Sequence, residues 1–429
     1  MNRLHSKSVL ALVGTVALLL MAGCAQNLMM QGRKLSTEGE HGRAIEVLKQ
    51  YLLEHPDRPE AWRELGAAYY RQGDLGQAED ALARAEASDP LTRLYQGLIF
   101  EAREEYPPAI SAYTEALRLE PSKETARLVR VHLDQLIRKN INRQVAQAVS
   151  GEKRIDVDSI PPNTIAVTDF DGTHLSEENA PIARGLAELT AADLAKVESL
   201  QLVERLKIEM LMKELELGAS GAVSPEEAPR LGRLLGSNRI VTGSVLGLGE
   251  DRIRLDGAIV SVRDSSATLP EPSEGELQRF FDLQKDLVFN VIEDLGVSLT
   301  TAERDAIEEV PTESYLAFLA YCRGLHYRAG GLLPRAQAAF EQAVEYDGGF
   351  GEAAAQLESV QLAQQPEVTT ADLESALSEY AGLNGRWPGR DWRLTWLLKH
   401  TELRRKDPKR PPSGAETGSV IVRGDLDAQ

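Results

Sequence analysis

Two carboxylates that could support chemistry follow an apolar run near the middle of the chain. Asp169 and Asp171 stand in the string DFDGT, directly after IAVT at residues 165–168. A carboxylate can act as a nucleophile, and paired carboxylates can hold a divalent metal ion. The same string also forms an ordinary turn, because Asp171-Gly172 is a favoured turn dipeptide after a strand. Five residues are compatible with either interpretation.

The DFDGT string resembles the motif that opens haloacid-dehalogenase phosphatases. The resemblance implies that Asp169 attacks phosphorus, that Asp171 acts as a general acid and that Mg²⁺ bridges the carboxylates. That mechanism also needs a downstream lysine and an acidic pair, but Lys213 is predicted in mid-helix and Gly249–Asp251 in a two-strand turn. We therefore predict no catalytic residue, no metal site and no cofactor, and keep a phosphatase as the third alternative.

The segments around these carboxylates predict an α/β domain. Apolar runs bounded by turn signals alternate with stretches of helical period, which is typical of a sheet covered by helices. The strand-like runs are IAVTDF at 165–170, LQLVE at Leu200–Glu204, RIVTGSV at 239–245 and, after a tight hairpin, RIRLDGAIVSVRD at 252–264. The helical segments are Asn179–Lys196, Arg205–Glu214, Pro225–Leu235 and Glu276–Leu295, the last with an apolar stripe that covers the sheet.

Four short blocks of this domain are similar to the CsgG family, the curli secretion-channel lipoproteins related to the TolB amino-terminal domain and to LpoB-like activators. They are ARGL from Ala183, LVER from Leu202, LLG from Leu234 and TGS from Thr242. The resemblance implies a mixed sheet with helices, in which Gly243 allows a strand to pack closely. Channel members carry long membrane-spanning hairpins, and each spanning strand needs about nine to eleven residues. Val245 to Ile253 is only a turn, and Ser265–Gly275 is short, so we predict a relative without its own pore.

Self-similarity with a period of 34 residues precedes the domain. Five positions recur at this spacing: Gly32, Gly39, Ala44, Leu48 and Pro56 become Gly66, Gly73, Ala78, Leu82 and Pro90. Trp62, Leu65, Gly66 and Tyr69 complete a W-x2-L-G-x2-Y pattern, and a third copy carries Gly97, Ala109, Tyr113, Ala116 and Pro121. The match is to tetratricopeptide repeats, which bind partners in a concave groove. We predict that Arg63, Tyr70 and Arg71 line this groove, although an ordinary solvated surface remains the alternative.

The remaining segments complete the predicted organisation. Thr125–Ile141 is amphipathic and caps the repeats, continuing as a polar helix or a linker. After the α/β domain, Gly324, Tyr327, Gly331, Ala336, Phe340 and Ala343 repeat the tetratricopeptide offsets, and two degenerate helices follow. Trp387, Trp392 and Trp396 pack on the last repeat or form a docking patch, before a tail from Lys406 that we expect to be disordered. The predicted divisions are 1–23 signal peptide, 24–121 three repeats, 122–154 cap and linker, 155–304 CsgG-like α/β domain, 305–383 C-terminal repeat unit and 384–429 tryptophan segment and tail.

The first residues predict a lipid anchor. Arg3 and Lys7 precede an apolar core, Val9–Met21, that is too short for a permanent membrane span. LMAGC at 20–24 resembles the lipobox of bacterial lipoproteins, which implies cleavage before Cys24 and lipidation of its thiol. Ala25 then implies the periplasmic face of the outer membrane. The only other cysteine, Cys322, cannot form an internal disulfide if Cys24 is lipidated, and we expect a buried helix residue.

Composition narrows the function. A formal net charge of −18 over 429 residues argues against nucleic acid and against anionic membrane surfaces as partners. We predict a non-enzymatic, periplasm-facing outer-membrane lipoprotein that acts as a protein-binding scaffold or accessory factor in envelope assembly or secretion. Its partners are other envelope proteins, bound through the repeats, and the outer membrane, through the lipid on Cys24. The alternative is a ring-forming curli-type secretion component, and homo-oligomerisation is left open.

Overall fold

The computed structural model of the chain describes residues 28–216, 223–224, 226–249 and 252–383. Cys24, Trp387, Trp392, Trp396 and the predicted tail therefore lie outside the described residues. Within them, six helices form the N-terminal repeats: α1 (28–37), α2 (His41–Glu54), α3 (Pro59–Gln72), α4 (Leu75–Leu82), α5 (Pro90–Ala102) and α6 (Tyr106–Arg118). No helix in the described ranges is long and apolar enough to cross a membrane.

One glycine in each repeat allows its two helices to cross closely. A Cβ atom on Gly66 of α3 would lie 2.7 Å from Leu82 Cγ of α4, and one on Gly97 of α5 would lie 2.4 Å from the Tyr113 ring of α6. In both pairs the large residue follows the glycine by sixteen positions. In each repeat the bulky side chain, Leu82 or Tyr113, fills the space that the glycine leaves open.

A single long helix connects the repeats to the next domain. Helix α7 (Lys123–Gly151) runs for 29 residues and begins where the Ser122 hydroxyl accepts a hydrogen bond from Thr125 N–H. Val129 lies in the apolar core of the repeats, whereas Ile141 and Val145 lie in the core of the α/β domain. Beyond Ile141 the chain is thus a continuous helix rather than a linker, because this half packs against two further helices, residues 205–214 and 228–235.

The sheet confirms the predicted mixed α/β fold. Its strands are β1 (Thr164–Val167), β2 (Gln201–Leu202), β3 (Arg239–Gly247), β4 (Arg252–Ser261), β5 (Ala267–Thr268) and β6 (Ser273–Glu276). The order is β2-β1-β3-β4-β5, and β6 also pairs with β4. β1 is parallel to β2 and β3, and the other pairs are antiparallel. Gly243 is needed, as predicted, because a Cβ there would lie 2.0 Å from the Asp256 carbonyl oxygen.

Helices cover both faces of the sheet. They are α8 (Pro181–Leu194), α9 (Arg205–Glu214), α10 (Ala228–Leu235) and α11 (Phe280–Asp294). Val167 and Val241 belong to the core that includes α8 and α11, while their neighbours Ala166 and Ile240 belong to the core with α7, α9 and α10. This alternation follows from the two-residue period of strands. The helix predicted from Glu276 begins only at Phe280, because 273–276 pair with β4 as an additional strand.

The C-terminal repeat unit is fused to this domain. It consists of α12 (Thr301–Glu308), α13 (Tyr315–Ala329), α14 (Leu333–Tyr346), α15 (Gly351–Ala363) and α16 (Thr370–Leu383). A Cβ on Gly185 of α8 would lie 2.2 Å from Cys322 Sγ of α13, so the Cys322 side chain packs directly against the backbone of α8. Cys322 is fully buried and free, which confirms the predicted buried helix residue.

Candidate functional site

A cleft of about 570 Å³ lies on the concave face of the N-terminal repeats. The first helix of each repeat contributes to this lining, and the last helix, α16, packs against α7 and contributes Thr370, Ala371 and Glu374. The walls include Ser36 of α1, Tyr70 and Arg71 of α3, and Glu374 of α16. We call this surface, together with the apolar residues beneath α16, the repeat groove.

Arg71 is the polar centre of the repeat groove. Its Nε donates to Glu374 Oε1 at 2.5 Å, its Nη1 to Ser36 Oγ at 2.6 Å and its Nη2 to Tyr95 Oη at 2.7 Å. The side chain is 8% exposed. Charge-assisted hydrogen bonds of this kind are short and stronger than neutral ones. Arg71 therefore links α1, α3, α5 and α16 at one point.

Tyr70 stands beside this centre as a neutral group. Burial, together with the negative charges of Glu374 and Glu101, raises its pKa to about 12. Its ring meets that of Tyr95 edge to face at 6.2 Å. Tyr70 thus presents an aromatic wall to the repeat groove and remains protonated at physiological pH.

Arg63, the third predicted groove residue, is held inside a buried ion cluster. It bonds Asp89 at 2.6 Å and Glu64 at 2.9 Å, and Glu64 also accepts from Arg33 of α1 at 2.8 Å. Burial raises the pKa of Glu64, but the charges of Arg63 and Arg33 outweigh this and leave the pKa lowered. Arg63 therefore positions α1, α3 and α5 relative to one another.

A histidine connects the repeats to the segment that leads into α16. His132 Nδ1 lies 2.6 Å from the Val368 carbonyl oxygen, and Nε2 lies 2.7 Å from Glu101 Oε2, which also accepts from Tyr113 Oη at 3.0 Å. Burial lowers the pKa of His132, but the bonds to Glu101 and Val368 outweigh it and raise the pKa overall. Both ring nitrogens face acceptors, so the doubly protonated ring satisfies both contacts.

Sequence reasoning identified only part of this site. Tyr70 and Arg71 line the repeat groove as predicted, and Arg63 supports its wall. That any of the three binds a partner stays a prediction. His132 and Glu374 were missed, since neither carries a motif and each meets its partner across a large separation along the chain, 303 residues for Arg71 and Glu374.

The carboxylates of the DFDGT string occupy a different position, at the end of β1. Asp169 is 5% exposed and its oxygens are paired with Arg184, at 2.5 Å, and with Arg205. Asp171 accepts from Thr173 N–H at 2.9 Å, the bond of an ordinary Asp turn. No group of three or more acidic, His or Cys side chains within the described ranges could hold a metal ion.

A second cleft, of about 650 Å³, lies where the domain meets α7 and the C-terminal unit. Arg328 of α13 bonds Glu209 of α9 at 2.8 Å and lies 3.7 Å from Glu188 of α8. Glu188 also pairs with Arg205, so the charges on the walls largely neutralise one another. These ion pairs attach the C-terminal unit to the sheet domain.

Two family models match separate parts of the chain. Residues 35–99 match the tetratricopeptide repeat model. Residues 139–261 match the model of the curli production assembly/transport component CsgG. The second match begins inside α7, in the half of that helix that packs against α9 and α10. No curated protein matches the chain.

Solved structures with repeats give weak matches. A tetratricopeptide repeat protein from Parabacteroides merdae is 15% identical, with 79% of this chain and 98% of that one covered and a TM-score of 0.24. Yeast Tom70 is 14% identical, with 84% and 69% covered and a TM-score of 0.26. Naa15/Naa10 bound to HypK-THB is 14% identical, with 83% and 63% covered and a TM-score of 0.23. By the two family models, residues 35–99 are similar to tetratricopeptide repeats and residues 139–261 are similar to the CsgG family.

Proposed function

We propose that the chain is a periplasm-facing outer-membrane lipoprotein that acts as a protein-binding scaffold or accessory factor in envelope assembly or secretion. The observation that carries the proposal is the repeat groove, which already holds one helix, α16, by apolar and ionic contacts. Tetratricopeptide repeats and a CsgG-like domain in one chain support a curli-type envelope role based on protein interaction.

The anchor in this proposal is the lipid on Cys24. Its support is the LMAGC string after a short apolar core, since a multiply acylated cysteine anchors a protein stably. Metabolic labelling with a fatty acid is expected to mark the wild type and not Cys24→Ser. Labelled protein that fractionates with the inner membrane would contradict the outer-membrane assignment.

The proposal includes no pore of the chain's own. β3 and β4 are joined by residues 248–251, where Leu248 N–H bonds the Arg252 carbonyl at 2.8 Å. β4 and β6 are separated by 262–272, which include the two-residue strand β5. Each segment is shorter than two membrane-spanning strands, about eighteen to twenty-two residues. A ring-forming secretion component remains the second candidate, favoured by the CsgG match alone.

The proposal further treats the chain as a binding protein and not an enzyme. Asp169, the residue that a phosphatase would use as its nucleophile, is occupied by two guanidinium groups. An attacking carboxylate needs a free oxygen directed at the substrate. The pairing of Asp169 therefore supports a structural role for this carboxylate.

Two measurements test the scaffold. A photo-crosslinking residue at Tyr70 is expected to capture envelope proteins in cells, whereas the same residue at Leu53, which is 85% exposed and outside the groove lining, is not. Equal capture at both positions would contradict a groove-based scaffold.

Light scattering and negative-stain images of the detergent-extracted protein are expected to give a monomer or small oligomer, while a closed ring would favour the secretion component.

A further inference from the structure

We propose that the repeat groove recognises an amphipathic helix of the pattern Leu-Glu-x-x-Leu, and that α16 occupies it until a partner helix of this pattern displaces α16. The inference rests on the proposed function, because it names the class of partner that the groove takes. Its occupant in the free protein is the chain's own segment Leu373–Leu377.

The two leucines provide the apolar part of the recognition. Leu373 and Leu377 are each 2% exposed and belong to the buried cluster that contains the apolar residues of the N-terminal repeats together with Val129 and Leu136 of α7. Residues four apart lie on one face of a helix, so both enter the groove together. This is the arrangement by which amphipathic helices bind grooves.

Glu374 provides the polar part. It accepts from Arg71, which also donates to Ser36 and Tyr95. A buried guanidinium without its carboxylate is costly, so the groove selects an acidic residue next to the first leucine. A lysine or arginine at that position would place its positive charge next to that of Arg71.

The side of α16 away from the two leucines is open to solvent at Asp372 and Ser375. Thr370 and Ala371, at the start of the helix, line the 570 Å³ cleft, which remains open beside it. The helix also caps itself, since Thr369 N–H and Oγ1 bond the Asp372 carboxylate while Asp372 N–H bonds Thr369 Oγ1. One face is therefore bound while the opposite face is in solvent.

The segment before α16 acts as a short tether. Val368 is bonded through its carbonyl to His132 and through its N–H to Gln135, both on α7, and Gln135 also donates to the Pro366 carbonyl at 3.3 Å. A tether of this kind gives the attached helix a high effective concentration at the groove. A partner helix must therefore compete with an intramolecular ligand.

A peptide-binding experiment tests the inference. A labelled synthetic peptide of residues 366–383 is titrated against the full chain and monitored by fluorescence anisotropy. We expect the variant Leu373→Asp/Leu377→Asp, in which α16 is released, to bind the peptide at least ten-fold more tightly than the wild type. The control Ser375→Asp adds a negative charge to the exposed face of the same helix, outside the cleft lining, and it is expected to bind as weakly as the wild type.

A second variant and a second peptide keep the test decisive. Glu374→Arg in the full chain retains both leucines and is also expected to increase peptide binding, although less. A peptide carrying Glu374→Lys is expected to lose at least ten-fold in affinity for the released chain. Unchanged hydrogen exchange across α2–α6 establishes that the repeats of each variant are folded.

Two results would overturn the inference. One is equal peptide affinity for the wild type and both released variants, and the other is equal affinity for the native and Glu374→Lys peptides. Peptide binding without crosslinks from Tyr70 in cells would refute the scaffold and leave the groove specificity standing. Crosslinks from Tyr70 without peptide binding would refute the specificity alone.

Discussion

The N-terminal repeats and the C-terminal repeat unit use the same packing device for different purposes. A Cβ on Gly97 would lie 2.4 Å from Tyr113, and one on Gly324 would lie 2.4 Å from Phe340, sixteen residues later in both cases. Yet the first helix of the N-terminal units carries Arg71 and faces an open cleft, while α13 carries Phe318 and Cys322 and is covered by α8. The motif therefore specifies how two helices cross, and the residues on the outer face of the first helix decide whether it forms a binding surface or an internal wall.

The buried ion cluster of the N-terminal repeats joins Arg33 and Arg63 through one carboxylate, Glu64, and removal of that carboxylate should have the largest effect. Glu64→Gln leaves Arg33 and Arg63 buried with a missing charge, which we expect to cost about 3–5 kcal/mol. Chemical denaturation should show the N-terminal repeats unfolding first. Glu79→Gln, whose pair with Arg103 is half-exposed, serves as control and should cost at most about 1 kcal/mol. Equal losses in both variants would contradict the role of the cluster.

The α8–α13 contact can be disturbed by a single methyl group. Gly185→Ala places a Cβ 2.2 Å from Cys322 Sγ, and overpacking of this kind costs about 1–3 kcal/mol. The loss should appear in the thermal unfolding of the central domain and the C-terminal unit together. Gly76→Ala at the start of α4 meets nothing closer than 3.9 Å and is the matched control. If Gly76→Ala lowers the stability and Gly185→Ala does not, the close approach of α8 and α13 does not limit the residue at position 185.

The attachment of α16 should weaken as the pH rises. The pKa of His132 is raised in the fold, so its contribution is complete below the usual histidine pKa of about 6.5 and is lost as the pH rises through the raised value. Glu101, Tyr113 and Lys139 are the titratable groups that face the ring. Hydrogen exchange of 366–377, corrected for its intrinsic rate, is expected to be slower at pH 5.5 than at pH 8.5. His132→Gln should remove this difference, and a difference that persists in the variant would assign it to another group.

The central domain, which lies between the two repeat regions, should show no phosphatase activity. We expect no Mg²⁺-dependent turnover of a generic phosphomonoester, either by the wild type or by Asp169→Asn. Turnover in the wild type that Asp169→Asn abolishes would restore the phosphatase alternative. The same variant should still unfold more easily, because it leaves Arg184 and Arg205 without their shared carboxylate.

Local signals were sufficient for much of the fold. Helix α9 begins and ends at the predicted residues, Asp171 forms the predicted turn, and Gly243 lies where close packing requires glycine. These features depend on neighbours along the chain or on strand period. The start of α11 was predicted at Glu276 but lies at Phe280, because Glu276 pairs with Arg252 of β4 and residues 277–279 form a 3₁₀ turn.

The sequence by itself determined the repeat period, the mixed sheet and the crossing of each helix pair, since these follow from spacings of a few to thirty-four residues. Only the tertiary structure decided that α7 belongs to two cores, that α13 is covered by α8 and that α16 lies in the repeat groove. Arg71 and Glu374 meet across 303 residues, and no periodicity connects positions so far apart. Such contacts depend on how folded units dock, because a charge or a leucine stripe on a helix is compatible with many partners until the shape of the groove selects one.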